Sequence, residues 1–444
     1  MPGRTLPTSA GHAPPYTGGM RLPEPPQPSP ILLGFSGGLD STVLLHLLAA
    51  DDGIRRNGLR AIHVHHGLQP CAGDWVAHCQ HVCASLGVPL TVAHVDIQRA
   101  SGLGPEGAAR AARHAAFADA LQEGDILALA HHRDDQAETF LLRALRGAGA
   151  DGLAAMRPWR RHGHGWLWRP LLDLPRAVLH DYASQRDIAW VEDPSNPALD
   201  ADRNFLRNAV LPLLRQRWPH AAASFSRSAL LCAQASDLLA AGDADALAGA
   251  RQDARTLDIT ALRALPAPRR ARVLRRWVAE LGLPPLPGNG IVQIERELLA
   301  ARHDASPRFD WQDARVWRWR GLLHADVLRA PLPTDWNQTW DGRAALPLPG
   351  GERLQLVGAP GFDAPLRVQA RRGGERIVLP GRQHSHALKH VLQDAGIPPW
   401  QRERLPLLFT SDGTLHAAGD RILSASLDAW LRAHRARLHW HVVP

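Results

Sequence analysis

Six residues, Ser36-Gly-Gly-Leu-Asp-Ser41, carry the clearest chemistry in this chain. They follow an apolar run, Ile31-Leu-Leu-Gly-Phe35, and lead into a helical one, Thr42-Val-Leu-Leu-His-Leu-Leu48. Gly37 and Gly38 let the backbone turn tightly and bring N–H groups close to an anion, and a helix opening at Leu39 adds its own unpaired N–H donors. Ser36 and Ser41 offer hydroxyls to a phosphate. Asp40 would repel a bare phosphate, so its place in the loop points to Mg2+ shared between carboxylate and phosphates. A glycine turn whose Ser or Asp merely caps the helix is the plainer alternative. A Walker-type loop is excluded, because that loop needs a lysine. This chain has one lysine, Lys389, and 50 arginines. Schiff-base chemistry would rest on that single side chain.

The elements that must hold such a loop can be read around it. Strand-like segments at Ile31–Phe35, Arg60–Val64, Leu90–Val95 and Ile126–Ala130 alternate with helical ones at 42–48, Trp75–Leu86, Glu106–Leu121 and Asp134–Leu145. That alternation predicts an α/β doubly wound parallel sheet of Rossmann-like type, with ligands beyond the carboxyl ends of its strands. Two further polar clusters fall at such ends: His63-Val-His-His-Gly-Leu68 after the second strand, and His131-His-Arg-Asp-Asp-Gln-Ala-Glu-Thr139 after the fourth. Beyond Pro170 the pattern turns helical, at Arg176–Arg186, Arg203–Arg217, Ser224–Ala250, Pro268–Leu281 and Gly290–Ala301. A Trp-rich stretch at Trp311–Val357 has short strand candidates. The last 80 or so residues read as small α+β, with a helix at His386–Asp394. The expected division is a disordered extension (1–29), a catalytic domain (30–219), a mostly helical middle domain (220–362) and a C-terminal domain (363–444).

Composition narrows the partners. At 45% hydrophobic and 21% charged the chain is ordinary globular protein, with a net charge of +8 and a pI near 10.4. Residues 363–444 carry 12 Lys/Arg against 7 Asp/Glu, more than half of that excess. Arginine forks pair with phosphate, so a polyanion is the expected partner, although arginine in place of lysine also fits a GC-rich genome. No apolar run reaches the ~18 residues of a membrane span. The Pro/Gly/Ser-rich start lacks the apolar core of a signal peptide. Cys71, Cys79, Cys83 and Cys232 are too few for a disulfide framework. Cys79 and Cys83, one helical turn apart, read best as thiols buried on one face. A cytoplasmic protein is expected, and the sequence leaves a homodimer open.

The Ser36–Ser41 hexapeptide resembles the PP-loop of the N-type ATP pyrophosphatases, which split ATP into AMP and pyrophosphate. The other motifs choose within that superfamily. With the two histidine clusters come Arg143-Ala-Leu-Arg-Gly147, Gly152-Leu-Ala-Ala-Met156, Arg169-Pro-Leu-Leu172, Glu192-Asp-Pro-Ser-Asn196, Asp202-Arg-Asn-Phe-Leu-Arg-Asn208 and Leu211-Pro212. In this order they resemble the bacterial tRNA(Ile)-lysidine synthetase family from about Pro30 to Pro219. The resemblance resumes at Arg372-Gly-Gly-Glu375, Leu388-Lys389, Gly396-Ile-Pro398 and Arg404-Leu-Pro406. It implies ATP-dependent adenylation of the first anticodon cytidine of a CAU-anticodon tRNA(Ile), then attack at C2 by the amine of free L-lysine.

The resemblance also implies roles. Ser36, Gly37, Gly38, Leu39, Asp40 and Ser41 would hold ATP, with Asp40 positioning Mg2+. Asp135 could accept a proton from the lysine ammonium, while Asp134 reads better as a helix cap. His131 could contact ATP or the cytidine. Arg110 and Arg113 are candidates for phosphate or the anticodon. Arg203 and Arg207 share a helix face at i, i+4 and could reach ATP or tRNA. Glu138 and Glu192 could partner those arginines or bind lysine, and the residues alone leave both open. Arg372 and Lys389 would lie in a tRNA-gripping C-terminal domain. A PP-loop tRNA thiolase is one rival, weakened by the lack of any Cys-x-x-Cys. An ammonia-dependent synthetase leaves the basic appendage unexplained. A catalytically silent tRNA-binding relative leaves the intact loop unexplained.

Overall fold

The computed structural model describes residues 20–441 except 26, 68–71, 96–103, 195–199 and 303–304. Cys71, Leu68 and residues 1–19 of the expected extension lie outside the described residues. Two compact units divide the chain, the first ending at Leu239 and the second starting at Ala240.

The first unit runs β1 (Ile31–Gly34), α1 (Leu39–Ala49), α2 (Asp52–Asn57), β2 (Leu59–His65), α3 (Ala72–Ser85), β3 (Leu90–His94), α4 (Gly104–Ala120), β4 (Ile126–Ala128) and α5 (Arg133–Leu145). It continues through α6 (Ala150–Leu153), β5 (Trp159–His162), β6 (Gly165–Trp168), α7 (Arg176–Ser184) and α8 (Asp202–Phe205). A π turn (Leu206–Val210), α9 (Leu211–Arg217) and α10 (Ala221–Ala250) complete the order. The strands form one sheet in the order β3-β2-β1-β4-β6-β5. All neighbours are parallel except the β5–β6 pair. Strand order reverses between β1 and β4, and there the crevice of a doubly wound sheet opens.

Both faces of the sheet are covered, which is why β1 reads as an unbroken apolar run. Ile31 and Leu33 point into a core shared with α1, α3 and α7, whereas Leu32 points into a second core with Ile62, Leu127 and Phe117 of α4. Leu33 is fully buried, so its truncation to alanine costs about 2–5 kcal/mol. Met20 and Leu22 also pack on the first core. The expected extension is thereby corrected, because residues that bury apolar side chains are part of the domain. The β5–β6 hairpin was not expected from sequence. It adds two strands to the sheet, with Trp159 stacked on Trp166 at 5.1 Å.

Two of the three buried clusters of the second unit frame its architecture. One runs from Leu247 to Val327 and joins the end of α10 and the helices Ala267–Glu280 and Gly288–Gln293 to a five-stranded antiparallel sheet. The Trp-rich stretch expected to hold short strands supplies Ala314–Trp319 and Leu322–Val327 of this sheet, whereas Arg251–Asp253 and Thr256–Asp258, three residues each, were not expected. The other core spans Trp340 to Leu438. Its strand Arg353–Val357 pairs with Arg437–His441, and Asn337–Trp340 pairs with Leu366–Gln369. The expected boundary at 362/363 therefore falls inside a packed layer.

Candidate active site

The two loops flanking the crevice hold most of the candidate residues. At β1, the chain must leave the sheet and start α1 within four residues. Gly37 makes this turn at φ +81°, and a Cβ there would sit 2.9 Å from Cys79 Sγ and 3.2 Å from Val191 Cγ2. Glycine is required on both counts. Val191 N–H donates to Gly37 O at 3.0 Å, which fixes the far wall of the loop. Ser36 and Ser41 hydroxyls lie 3.0 Å apart, and Ser41 Oγ also donates to Gly38 O at 3.0 Å. The loop is thus pinned through its carbonyls and hydroxyls. Gly38 at the N-cap supplies no side chain to the first N–H groups of α1, so those donors remain available to an anion. Leu39 faces the core and anchors the turn.

Asp40 stands in the first turn of α1. Its Oδ2 lies 3.6 Å from His132 Nε2, and its Oδ1 lies 3.6 Å from Arg176 Nε. Oδ1 is buried and has no hydrogen-bond partner, so one oxygen of this carboxylate is left for a ligand. Among the described residues no group of three or more His, Cys, Asp and Glu side chains could hold a metal by itself. Mg2+ does not need one: it commonly takes one or two carboxylates and completes its shell with phosphate and water.

Across the crevice, β4 delivers the second cluster. His132 is the N-cap of α5; Asp135 N–H donates to its Nδ1 at 3.4 Å, and His132 N–H donates to Asp135 Oδ2 at 3.0 Å. This reciprocal cap aims the Asp135 carboxylate and the neighbouring Glu138 into the site. Two arginines then close on them. Arg203 Nε donates to Glu138 Oε2 at 2.8 Å, and Arg207 Nε donates to Glu138 Oε1 at 2.6 Å. Arg207 Nη2 also donates to Asp135 Oδ1 at 3.0 Å, with Arg203 Nη2 at 3.4 Å from the same oxygen. Arg203 belongs to α8, Arg207 to the π turn that follows, a kind of helix distortion often found at functional sites.

These charges set the titration of the group. Burial alone would raise the Asp135 carboxyl, but the charges of His132 and Arg203 and the His132 N–H bond bring it down to about 2. A carboxylate that acidic is a poor proton acceptor near neutrality, so the expected role of Asp135 as a base for the lysine ammonium does not suit its surroundings. Burial works against protonated His132, yet its hydrogen bond to Asp40 and the charges of Asp135, Asp40 and Asp134 leave it raised above its ordinary value. Burial, the largest single influence, likewise works against Arg207, and the Glu138 bond together with the charges of Glu138, Asp135 and Asp40 leaves it raised.

The structure separates the expected residues into three groups. Ser36 to Ser41, Asp135, Glu138, Arg203 and Arg207 come together around the crevice, with His132 between Asp40 and Asp135. His131 sits beside them, its Nδ1 accepting from Arg169 Nε at 3.2 Å, and burial pushes it down to about 3. Arg110 and Arg113 lie exposed on α4, and the Arg110 charge reaches His131 and Arg169. Arg372 and Lys389 are exposed in the second unit; Arg372 Nε donates to Thr334 O at 3.2 Å. Glu192 is exposed, whereas Glu138 is fully buried. Sequence reasoning missed His132, Arg176, Arg169 and Cys79. Arg169 is buried among like charges, which together bring it down to about 9, with burial the largest cause and Arg160, Arg110 and Arg143 following.

Three family patterns cover the chain in order: a PP-loop domain at residues 20–214, a TilS substrate binding domain at 257–324 and a TilS substrate C-terminal domain at 366–440. A tRNA(Ile)-lysidine synthase of Xanthomonas campestris pv. campestris (strain 8004) is 55% identical over 93% of this chain and 95% of its own length. The chain belongs to the tRNA(Ile)-lysidine synthase family. The likeness extends to the tRNA(Ile)-lysidine synthase of Xylella fastidiosa (strain Temecula1 / ATCC 700964), 54% identical over 95% of this chain and 96% of that one. It also reaches the Serratia proteamaculans (strain 568) protein, 40% identical over 92% and 95%. The Ser36–Ser41 loop lies within the residues matched by the PP-loop domain, at the switch point of the sheet. The family match begins at residue 20, in agreement with the packing of Met20 and Leu22. Among the described residues, no helix is long and apolar enough to cross a membrane.

Proposed function

We propose that this chain is a tRNA(Ile)-lysidine synthase. It adenylates the C2 oxygen of the first anticodon cytidine in CAU-anticodon tRNA(Ile), releasing pyrophosphate from ATP. The amine of free L-lysine then forms a bond to C2 as the C2–O bond to AMP breaks. One observation carries this reading: a backbone phosphate cradle and a buried carboxylate–arginine cluster face each other across the switch point, with His132 between Asp40 and Asp135.

In this reading Ser36, Ser41 and the open N–H groups of α1 hold the ATP phosphates, and Asp40, whose Oδ1 accepts no hydrogen bond, holds Mg2+. When bound, that ion would neutralise charge that develops on the phosphates. Arg203 and Arg207 position Asp135 and Glu138 as fixed anions, suited to recognising the ammonium of lysine. Proton transfer is better matched to His132, which despite its burial is held above its ordinary value by its hydrogen bond to Asp40 and the charges of Asp135, Asp40 and Asp134, whereas Asp135 and His131 are held well below theirs. Arg110 and Arg113 serve the RNA or phosphate from α4, and the basic second unit, with Arg372 and Lys389, grips tRNA backbone. Reduced, buried Cys79 and Cys83 fit a cytoplasmic enzyme.

Incubation with ATP, Mg2+, radiolabelled lysine and CAU-anticodon tRNA(Ile) transcript should transfer label to the RNA. Label that enters the RNA only from a sulfur donor, or from glutamine, would overturn the reading.

A further inference from the structure

A cavity of about 370 Å³ lies in the second unit, walled by Trp317, His324, Trp400 and Trp440 and bordered by Arg404 and Arg421, with Asp326 and Glu403 also in its lining. The volume is in the range of small-molecule sites. Its aromatic wall is ordered before any ligand arrives: His324 and Trp400 stack in parallel at 4.0 Å, and Trp317 packs 5.8 Å from Trp400. Three side chains of this wall and border hold polar atoms that are buried with no hydrogen-bond partner: His324 Nε2, Trp440 Nε1 and Arg404 Nε. Buried polar groups are nearly always paired, so three orphans lining one cavity need an explanation. Trp440 Nε1 and Arg404 Nε can only donate, so the missing partner carries acceptors.

The anchoring of these groups shows that they are held in place. Thr256 Oγ1 fixes His324 Nδ1 at 3.0 Å. Arg404 is ion-paired with buried Glu352, and Arg255 is tied to Asp326. Of the arginines on the border, Arg421 is the most open, its side chain 63% exposed. Burial pushes His324 down to about 4, so the ring is neutral at physiological pH and leaves the wall uncharged. An aromatic wall, buried donors left without a partner and a border with more arginines than carboxylates describe a nucleotide: a planar base rich in ring nitrogens and carbonyls, with a phosphate outside.

We infer that this cavity receives one unpaired nucleotide of the bound RNA, its base against the Trp400 wall and its phosphate at the Arg421 edge. The inference rests on the tRNA reading and adds to it a pocket that reads a splayed-out base rather than helix shape. The pocket joins His324 and Trp317, from the sheet of the unit's first core, to Trp400, Arg404 and Trp440 from its C-terminal part. A nucleotide held there bridges the two.

The test uses the full chain and a tRNA(Ile) transcript, with affinity measured by filter binding and base reactivity mapped by dimethyl sulfate and carbodiimide. The wild-type complex should protect one unpaired base. Trp400→Ala should lose that protection and weaken binding about 5- to 100-fold, the range for one base–aromatic stack. Trp400→Phe should keep the protection, and ATP affinity should not move in either variant. Should Trp400→Ala lower the melting temperature, Arg421→Ala on the exposed edge replaces it, with an expected loss of two- to fivefold and a shallower salt dependence. Unchanged affinity in Arg421→Ala and Trp400→Phe, with no unpaired base protected in wild type, overturns the pocket while leaving tRNA binding intact. A chain that binds no tRNA at all overturns the functional reading instead. Radiolabelled AMP or CMP bound in wild type and lost in Trp400→Ala, with tRNA affinity constant, would make this a free-nucleotide site and overturn the RNA assignment.

Discussion

The two sides of the crevice solve opposite problems with opposite means. The loop after β1 is built almost without charge. Its glycines, hydroxyls and open helix N–H groups leave capacity for a ligand, and even Asp40 keeps one oxygen without a hydrogen bond. The segment after β4 is saturated: Glu138 accepts from two arginines, and Asp135 takes the remainder with a backbone N–H besides. A polyphosphate arrives with its own charge and counter-ion, so its receptor must be neutral and unfilled. A small cation such as a lysine side chain needs a fixed anion in a buried place, and anions stay ionised there only if cations hold them. Each side should therefore break in its own way.

The saturated side should fail hardest. Glu138 is fully buried, and Glu138→Ala leaves Arg203 and Arg207 without their main partner. Breaking a buried pair by removing one partner costs about 3–5 kcal/mol. Urea denaturation should show a loss of that order, and lysine transfer should fall below detection. Glu138→Gln keeps the shape and should recover part of the stability but little activity. A Glu138→Ala protein as stable as wild type would mean that the arginines find other anions, and the contrast between the two sides would lose its basis.

On the open side the largest effect is steric. Gly37→Ala meets Cys79 Sγ at 2.9 Å and a φ of +81°. The backbone term alone is about 1–3 kcal/mol. ATP affinity should fall at least tenfold while tRNA affinity holds. Gly37→Ala/Cys79→Ala removes the contact but not the dihedral strain, so it should recover some of the loss and never all of it. Complete rescue would show that packing against α3, rather than backbone conformation, requires the glycine.

How much of this could be read from sequence follows from how local each feature is. The Ser36–Ser41 cradle is six consecutive residues whose types state their purpose, and the strand–loop–helix around it was legible. His132 was not, because two adjacent histidines differ only in where the helix starts. Residue 132 is the N-cap and turns toward Asp40, whereas residue 131 turns toward Arg169. Glu138 could not be assigned because its partners lie 65 and 69 residues away. The pairing of Arg353–Val357 with Arg437–His441, across the expected start of the C-terminal domain, was hidden for the same reason, because no local pattern announces it.

His132 joins the two sides, and pH should expose it. Its folded-state pKa is raised, so its stabilising contribution is full below the unfolded value near 6.5 and is lost as pH rises through the folded value. Asp135 runs the other way: its folded value, about 2, lies below the ordinary 3.8, so its contribution is present above about 4 and is lost as pH falls toward 2. Between these windows both are in place. His132→Gln should therefore cost more stability at pH 5.5 than at pH 9 in urea titrations of the full chain. An equal cost at both values would mean the ring acts only as a neutral cap.

The smallest expected effect concerns Lys389, the single lysine of the chain. Leu388 and Leu392 of its helix are buried while Lys389 is exposed, so nothing in the fold depends on its head group. Lys389→Gln should leave stability within about 0.5 kcal/mol of wild type. If its ammonium neutralises one phosphate, tRNA affinity should fall only a few-fold at moderate salt, and the slope of log K against log salt should drop by about 1. An unchanged slope removes Lys389 from the RNA surface and leaves that surface to arginine. A fall of a hundredfold would require Lys389 to hold a desolvated partner.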